Sequence, residues 1–349
     1  MLISCLVFLI FSAIFFLAWC SYPWSINQKN ISKIEIIYIE PNEMINLEEN
    51  PSVLKMLTWN LSFLYGEGSE GKGYAPRTKE DFKSKLDKLV QEIKEWQVDI
   101  VFLQEIDFDA ARSHGFNQAQ YLAQKAGFPY VAQASSWRAN YIPFPYWPVK
   151  NHFGHMNSGG AILSRYPITE NNLTLLAKPA SHPWWYNLFY LHRYFQEVKI
   201  EVGSKKLNLV NLHLEAFDIV DRQNQIKKLI ELINLKKVDI VAGDFNMLPT
   251  SAEKKSKFLN GDDYENDSSY ALMLDSKLLE VIPDEIYAKN EQVYFTFPAT
   301  KPDRRLDYIF YRPELKMMKA EVLSSALSDH LPLRASFQLG SPKINPYSL

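Results

Sequence analysis

Apolar side chains fill positions 2–19 almost without a break, and beyond residue 50 they return in two shorter rhythms. The first is a run of five to eight residues, largely apolar and closing in polar ones, as expected of a strand that ends at a loop. Val53–Asn60 has this form, ending Thr58-Trp59-Asn60, and so do residues 99–105, ending Gln104-Glu105. Residues 207–213 close in Asn211-Leu212-His213, residues 238–244 close in Gly243-Asp244, and later strands are expected over 306–311 and 331–339. The second rhythm is helical. Thr78, with Asp81 three residues on, reads as a helix cap, after which Phe82, Leu86, Leu89, Val90, Ile93 and Trp96 share one face. A second helix is predicted over 221–235, and a glycine-rich loop running through Gly73 separates the first strand from the first helix. One strand ending in an acid is usually a solvated edge. Several strands that each deliver polar groups to a loop junction point to a shared site.

The opening run changes the picture of where the chain resides. None of the first 28 residues is charged, and about 20 apolar residues are needed to cross a hydrocarbon core, so residues 1–20 read as a transmembrane anchor or a signal segment. No A-x-A cleavage site stands out, which favours an uncleaved anchor. Residues 21–50 read as a polar spacer and 51–340 as one domain. A membrane-anchored or exported location follows, in a bacterial-type inner membrane or periplasm or outside the cell, with contact to the membrane through the N-terminal segment. A monomer is expected.

Composition narrows the chemistry. With 47% hydrophobic and 22% charged residues the chain is globular. Its two cysteines, Cys5 and Cys20, both lie in the leader, so the domain has no disulfide, thiolate metal site or cysteine nucleophile. Lys and Arg number 38 against 40 Asp and Glu, and the acidic excess falls before residue 50. The basic stripe of a protein that binds nucleic acid by neutralising phosphates is not apparent.

The candidate chemistry sits at the ends of the expected strands and in one loop: Asn60, Gln104-Glu105, Asn211-Leu212-His213, Gly243-Asp244-Phe245-Asn246, Leu306-Asp307-Tyr308 and Ser328-Asp329-His330. Taken singly, Asp244 could cap a turn, Asn246 could serve as a turn residue, and Asp307 could pair with Arg304 or Arg305. In this order, and with Gly159-Gly160-Ala161-Ile162-Leu163-Ser164-Arg165-Tyr166-Pro167-Ile168 between them, the motifs resemble the endonuclease/exonuclease/phosphatase (DNase-I-like) superfamily over residues 53–337. That superfamily includes nucleases, inositol polyphosphate phosphatases and bacterial sphingomyelinases, the last closest in feel. The resemblance implies an α/β four-layered sandwich, two mixed sheets packed face to face with helices on both outer sides. It also implies a divalent-metal-dependent hydrolase of phosphate esters using Mg²⁺ or Mn²⁺. By the same resemblance Glu105 and Asn60 hold the metal and Asp329 completes the metal network. Asp244 orients or deprotonates the attacking water, and Asn246 holds a phosphate oxygen or that water. His213 and His330 contact phosphate, and Asp307 orients His330. The five other histidines, His114, His152, His155, His182 and His192, are expected in solvated or loop roles.

The substrate stays open between classes. Two aromatic-rich stretches, residues 137–147 and 183–190, suit either packing on the sheet or a rim facing lipid, and aromatic rings also stack on bases. Residues 213–218 are similar to the histidine segment of sphingomyelinase-like members, with Glu215 where Gln is common. A membrane-associated enzyme acting on a phospholipid or small phosphate ester is the first expectation. The alternatives are an exported endonuclease cleaving DNA or RNA and a non-catalytic binding protein on the same fold. No role is expected for residues 251–291.

Overall fold

The structure is a computed structural model and describes residues 2–22, 36–40, 42, 48, 50–66 and 76–339. The glycine-rich loop through Gly73 and most of residues 21–50 therefore lie outside the described residues.

Among the described residues thirteen strands follow in chain order: β1 Ile36–Tyr38, β2 Val53–Asn60, β3 Ile100–Asp107, β4 Tyr130–Ile142, β5 Gly154–Ser164, β6 Ile168–Leu175, β7 Tyr194–Val202, β8 Lys205–His213, β9 Ile240–Asp244, β10 Leu279–Glu280, β11 Asp307–Tyr311, β12 Lys316–Val322 and β13 Leu333–Gln338. The helices that matter below are α1 Leu2–Ser21, α2 Lys79–Trp96, α3 Gln118–Ala126, α4 Trp184–Asn187 and α5 Ile219–Lys236. The strands form a seven-stranded sheet in the order β1-β4-β5-β3-β2-β13-β12 and a six-stranded sheet in the order β10-β11-β9-β8-β7-β6. Both sheets are mixed, because β2 and β3 run parallel in one and β8 and β9 in the other. This is the four-layered sandwich, with α2 and α3 on one outer face and α5 on the other.

Period-two alternation decides which residues reach the space between the sheets. In β2, Leu54 and Met56 pack in the core between the sheets, while Leu57 and Trp59 face α2 and α3. Asn60, two positions beyond Thr58, keeps the parity of the inner face. In the second sheet Leu207 and Leu209 of β8, Ile240 and Ala242 of β9 and Ile309 of β11 pack inward. The same parity turns Asn211, His213, Asp244 and Asp307 inward.

The helices form for the reasons their sequences suggest. Thr78 accepts the Asp81 amide at 3.1 Å, a cap worth about 1 kcal/mol. Phe82, Leu86, Leu89, Val90 and Ile93 are buried on one face of α2, each contributing roughly 1.5–3 kcal/mol.

One stretch departs from the sequence reading. Part of the expected polar spacer is structural, since Ile36, Ile37 and Tyr38 pair with Ala132, Val131 and Tyr130 at the edge of the larger sheet. Two β-branched residues and a tyrosine in succession suit a short edge strand better than a linker.

Candidate active site

The inward positions at one end of both sheets form the floor of a cleft of about 680 Å³. Register makes the floor continuous. His213 pairs across the ladder with Asp244, and Asp244 with Asp307, so three strands of the second sheet present their polar ends in one row. Asn60 stands at the end of β2 opposite that row. Its amide nitrogen donates to Asp244 Oδ2 at 2.9 Å and to Glu105 Oε1 at 3.3 Å, joining the sheets at the site.

Glu105 arrives by a different route. Its odd position in β3 should face the helices with Val101 and Leu103, and Ile106 does face them although three residues past Leu103. The register shifts between Leu103 and Ile106, and Glu105 takes φ 51°, so a bulge turns its carboxylate into the cleft. Gly243 is needed for a related reason. At φ 152° a Cβ there would lie 2.1 Å from the Leu212 carbonyl oxygen of the paired strand, so only glycine lets β9 lie close enough to place Asp244.

His330 comes from the loop before β13 and is held on several sides. Its Nδ1 meets Asp307 Oδ2 at 2.8 Å, its backbone N–H donates to Ser328 Oγ at 3.1 Å, and its carbonyl accepts Trp59 Nε1 at 2.9 Å. Ser328 Oγ in turn donates to the Asn60 carbonyl at 2.6 Å. Arg304 pairs with Asp303 and Asp262, and Arg305 with Glu280, so Asp307 serves His330 and neither arginine. Asn246 bends back at φ 51°, its backbone N–H donating to Asp244 Oδ1 at 3.0 Å and its amide to the Leu214 carbonyl at 3.0 Å. Asp329 lines the cleft beside His330.

Thus Asn60, Glu105, His213, Asp244, Asn246, Asp329 and His330 line a single cleft, with Asp307 directly behind His330. Gln104 and Asn211 sit below. Gln104 Nε2 donates to Asn211 Oδ1 at 2.7 Å, and Asn211 Nδ2 to Gln196 Oε1 at 3.0 Å, a buried polar spine that ties the sheets beneath the floor.

The electrostatics follow from crowding anions out of water. Burial raises the Glu105 carboxyl, with Asp244 adding to the effect, and burial together with Asp307 pushes Asp244 up to about 6. Burial opposes the charged form of His330, but Asp307 and Asp244 outweigh it and raise the imidazole to about 10. His213 goes the other way, because burial, Arg193 and His330 all disfavour a second cation. Asp244, Asp307 and His330 offer ligand atoms within 4.8 Å of one another, and Asp307 Oδ1 has no hydrogen-bond partner among the described residues. Glu105 and Asp244 are buried carboxylates of raised pKa, and a hard divalent cation relieves such a pair, so the donor set fits such an ion.

Arg193 escaped the sequence reading as a member of the site. It is buried, lines the cleft and contacts His213 Nε2 through Nη1, while Nε lies 3.5 Å from Glu215 Oε2 and Nη2 3.3 Å from Tyr190 Oη. Glu215 also accepts Tyr190 Oη at 2.9 Å and the Phe217 amide at 3.1 Å, so its charge is compensated. The only local signal for this group was an arginine one residue before a strand that pairs with β8. Of the five other histidines, His114, His152, His155 and His182 bond outside the cluster, to the Arg77 carbonyl, Tyr141, Asp109 and Asn187. His192 is buried, not solvated, with Nδ1 3.0 Å from the Leu176 carbonyl, and burial lowers it to about 4.

Two facing strand ends that gather carboxylates, amides and imidazoles around a cation-sized cluster define a metal-dependent phosphoric ester hydrolase. The sequence matches the model of the endonuclease/exonuclease/phosphatase family over residues 57–330, and the chain belongs to that family. No curated relative matches it. Similar solved structures share the fold at low identity. An endonuclease/exonuclease/phosphatase from Beutenbergia cavernae is 20% identical at a TM-score of 0.57, covering 83% of this chain and 72% of its own. A mannosyl-6-phosphatase from Bacteroides thetaiotaomicron is 16% identical at 0.53, with 82% and 100% covered. The human Nocturnin catalytic domain with bound sulfate anion is 19% identical at 0.52, with 87% and 96% covered.

Proposed function

We propose that the chain hydrolyses the phosphate ester of a phospholipid, or of a small phosphate ester met at a membrane, with α1 as its anchor and Mg²⁺ or Mn²⁺ as its ion. The supporting observation is the charge balance of the cleft. Its walls are aromatic, from Phe63, Trp137, Tyr146, Tyr186, Phe189 and Phe217, and among the described residues Arg193 is the only Lys or Arg in the lining and pairs with Glu215. A nucleic-acid backbone is ordinarily met by several cations, whereas a single phosphoryl group on an apolar body needs one polar floor and apolar walls. The similarity of residues 213–218 to sphingomyelinase-like members fits this reading, and Glu215, paired as above, presents no uncompensated charge to the substrate.

In this proposal Glu105 and Asn60 hold the cation, with Asp329 beside them. When bound, the ion neutralises charge on the phosphoryl oxygens and eases departure of the leaving oxygen. Asp244, ionised near neutral pH and fixed by Asn60 and the Asn246 amide, orients the attacking water and accepts its proton. Asn246 lines up that water or a phosphoryl oxygen. His330, kept protonated by Asp307, donates to a phosphoryl oxygen. His213 is neutral and held by Arg193, whose positive charge stands beside it.

A nuclease is the second reading. The family's own name supports it, and the aromatic walls could stack bases. The mannosyl-6-phosphatase on this fold is in keeping with a small ester instead. Full-length protein with Mg²⁺ is to be assayed on phospholipid vesicles, soluble sugar phosphates, plasmid DNA and RNA. Turnover of a lipid or small ester is expected. Nicking of DNA or RNA with no release from the others would replace the substrate class and leave the hydrolytic floor intact.

A further inference from the structure

The last turn of α1 is fastened to the domain. The Asn140 backbone N–H donates to the Tyr22 carbonyl at 2.9 Å, Asn140 Nδ2 donates to the Trp19 carbonyl at 3.0 Å, and Cys20 is buried. The remainder of the helix has no such cover, since only 11% of Ser4–Ser21 is buried. Twenty residues at about 1.5 Å each make roughly 30 Å of helix, the thickness of a hydrocarbon core.

Asn140 also lies two residues before β4 runs into the aromatic wall of the cleft. Trp147, seven residues on and at most about 25 Å away along the chain, is 81% exposed. The base of this loop is packed, with Phe153 and Ile142 in a small core beside Trp137, and the Phe153 amide donates to the Phe144 carbonyl at 2.8 Å. The second aromatic stretch behaves alike. Tyr186 stacks on Tyr190 and His182 meets Tyr190 edge-on, while Trp184 on α4 is 72% exposed. Residues 139–149 and 179–191 contain no Asp, Glu, Lys or Arg. Solvated loops normally carry charge at their tips. Uncharged loops tipped with tryptophan suit the boundary between headgroups and acyl chains, and they do not suit a polyanion.

We propose that these two stretches dock on the surface of the bilayer that α1 enters, so that the mouth of the cleft opens onto the headgroups of the adjoining leaflet. The inference rests on α1 being a membrane anchor and adds a fixed orientation of the active site to it. The occupant is a lipid surface.

The test uses full-length protein carrying Cys5→Ala, reconstituted in phosphatidylcholine vesicles. Cys20 is buried, so it takes up little maleimide. An environment-sensitive fluorophore is attached through Trp147→Cys in one sample and through Leu235→Cys in another. Leu235 is 76% exposed near the end of α5 that leads into β9, away from the cleft. Brominated acyl chains should quench the label at 147 about twofold, as expected for a group seated at the headgroup boundary, and leave the label at 235 unchanged. Equal, negligible quenching at both positions in protein that floats with the vesicles would overturn the docking and leave the anchor standing. Protein that fails to float overturns the anchor and the docking together, and a Cys5→Ala parent without either added cysteine reports any label on Cys20.

Discussion

The floor and the rim of the cleft are built from opposite materials. The floor side chains hold one another: Asn60 between Asp244 and Glu105, Asp307 against His330, Arg193 against Glu215 and His213. The rim holds its bases in small aromatic cores and leaves its tips, Tyr146, Trp147, Trp184 and Phe217, in the open. A network of buried charges tolerates little change, because removing one member strands another in low dielectric. Exposed rings on loops tolerate a great deal. In the proposed reading the floor carries the phosphoryl chemistry and the rim chooses a surface or substrate body.

Removal of the ion should break the floor most completely. Excess chelator is expected to take turnover of every substrate to background, with recovery on adding Mg²⁺, and Glu105→Ala should raise the Mg²⁺ needed for half-maximal rate more than any other substitution in the site. Turnover that persists in chelator would remove the cation from the chemistry. Asp244→Asn comes next. It keeps the size and one acceptor but loses the base, so kcat should fall about 10²- to 10⁴-fold with little change in KM. A rise in KM alone would mean that Asp244 only binds.

Arg193→Gln should cost about 10²- to 10³-fold in kcat, since it deletes the positive charge beside His213, and Arg193→Lys should recover only part of it because an ammonium cannot meet Glu215, Tyr190 and His213 together. Full activity in Arg193→Gln would make the arginine a partner of Glu215 and no more. Gly243→Ala affects the frame that carries the chemistry. A Cβ 2.1 Å from a backbone oxygen forces β8 and β9 apart, and a loss of roughly 3 kcal/mol is expected from the denaturant midpoint at constant slope.

The two regions also differ in how far they can be read from the chain. Strand parity alone places Asn60, His213, Asp244 and Asp307 inward, and the apolar runs before the first three and after Asp307 mark where each strand meets the site. Parity misplaces Glu105, because nothing in Asp99-Ile100-Val101-Phe102-Leu103-Gln104-Glu105 announces a bulge. That position was recoverable only from the family resemblance. The Arg193, Tyr190 and Glu215 group was not legible, since its members come from the loop before β7 and the loop after β8 and meet only when β7 pairs with β8. Residues 36–38 were readable in principle from their β-branched run, but an edge strand three residues long falls below what periodicity can separate from a linker. For the rim, composition gave the aromatic rings and could not divide them. The same stretch puts Trp137 inside, its Nε1 donating to the Phe189 carbonyl at 2.9 Å, and Trp147 outside.

The smallest effect separates rim from floor most sharply. Val149 and Trp184 are 56% and 72% exposed and stand outside the cleft lining. If the rim only presents the site to a bilayer, Val149→Ser with Trp184→Ser should lower the rate on vesicle-borne lipid about tenfold, the scale of losing one or two interfacial anchors, while the rate on a soluble phosphate ester stays as it was. Equal losses on both substrates would mean that the tips brace the cleft walls, and the division between a chemical floor and a presenting rim would fail. No loss on either would leave α1 alone to hold the enzyme at the membrane, with the aromatic tips free to meet some other body.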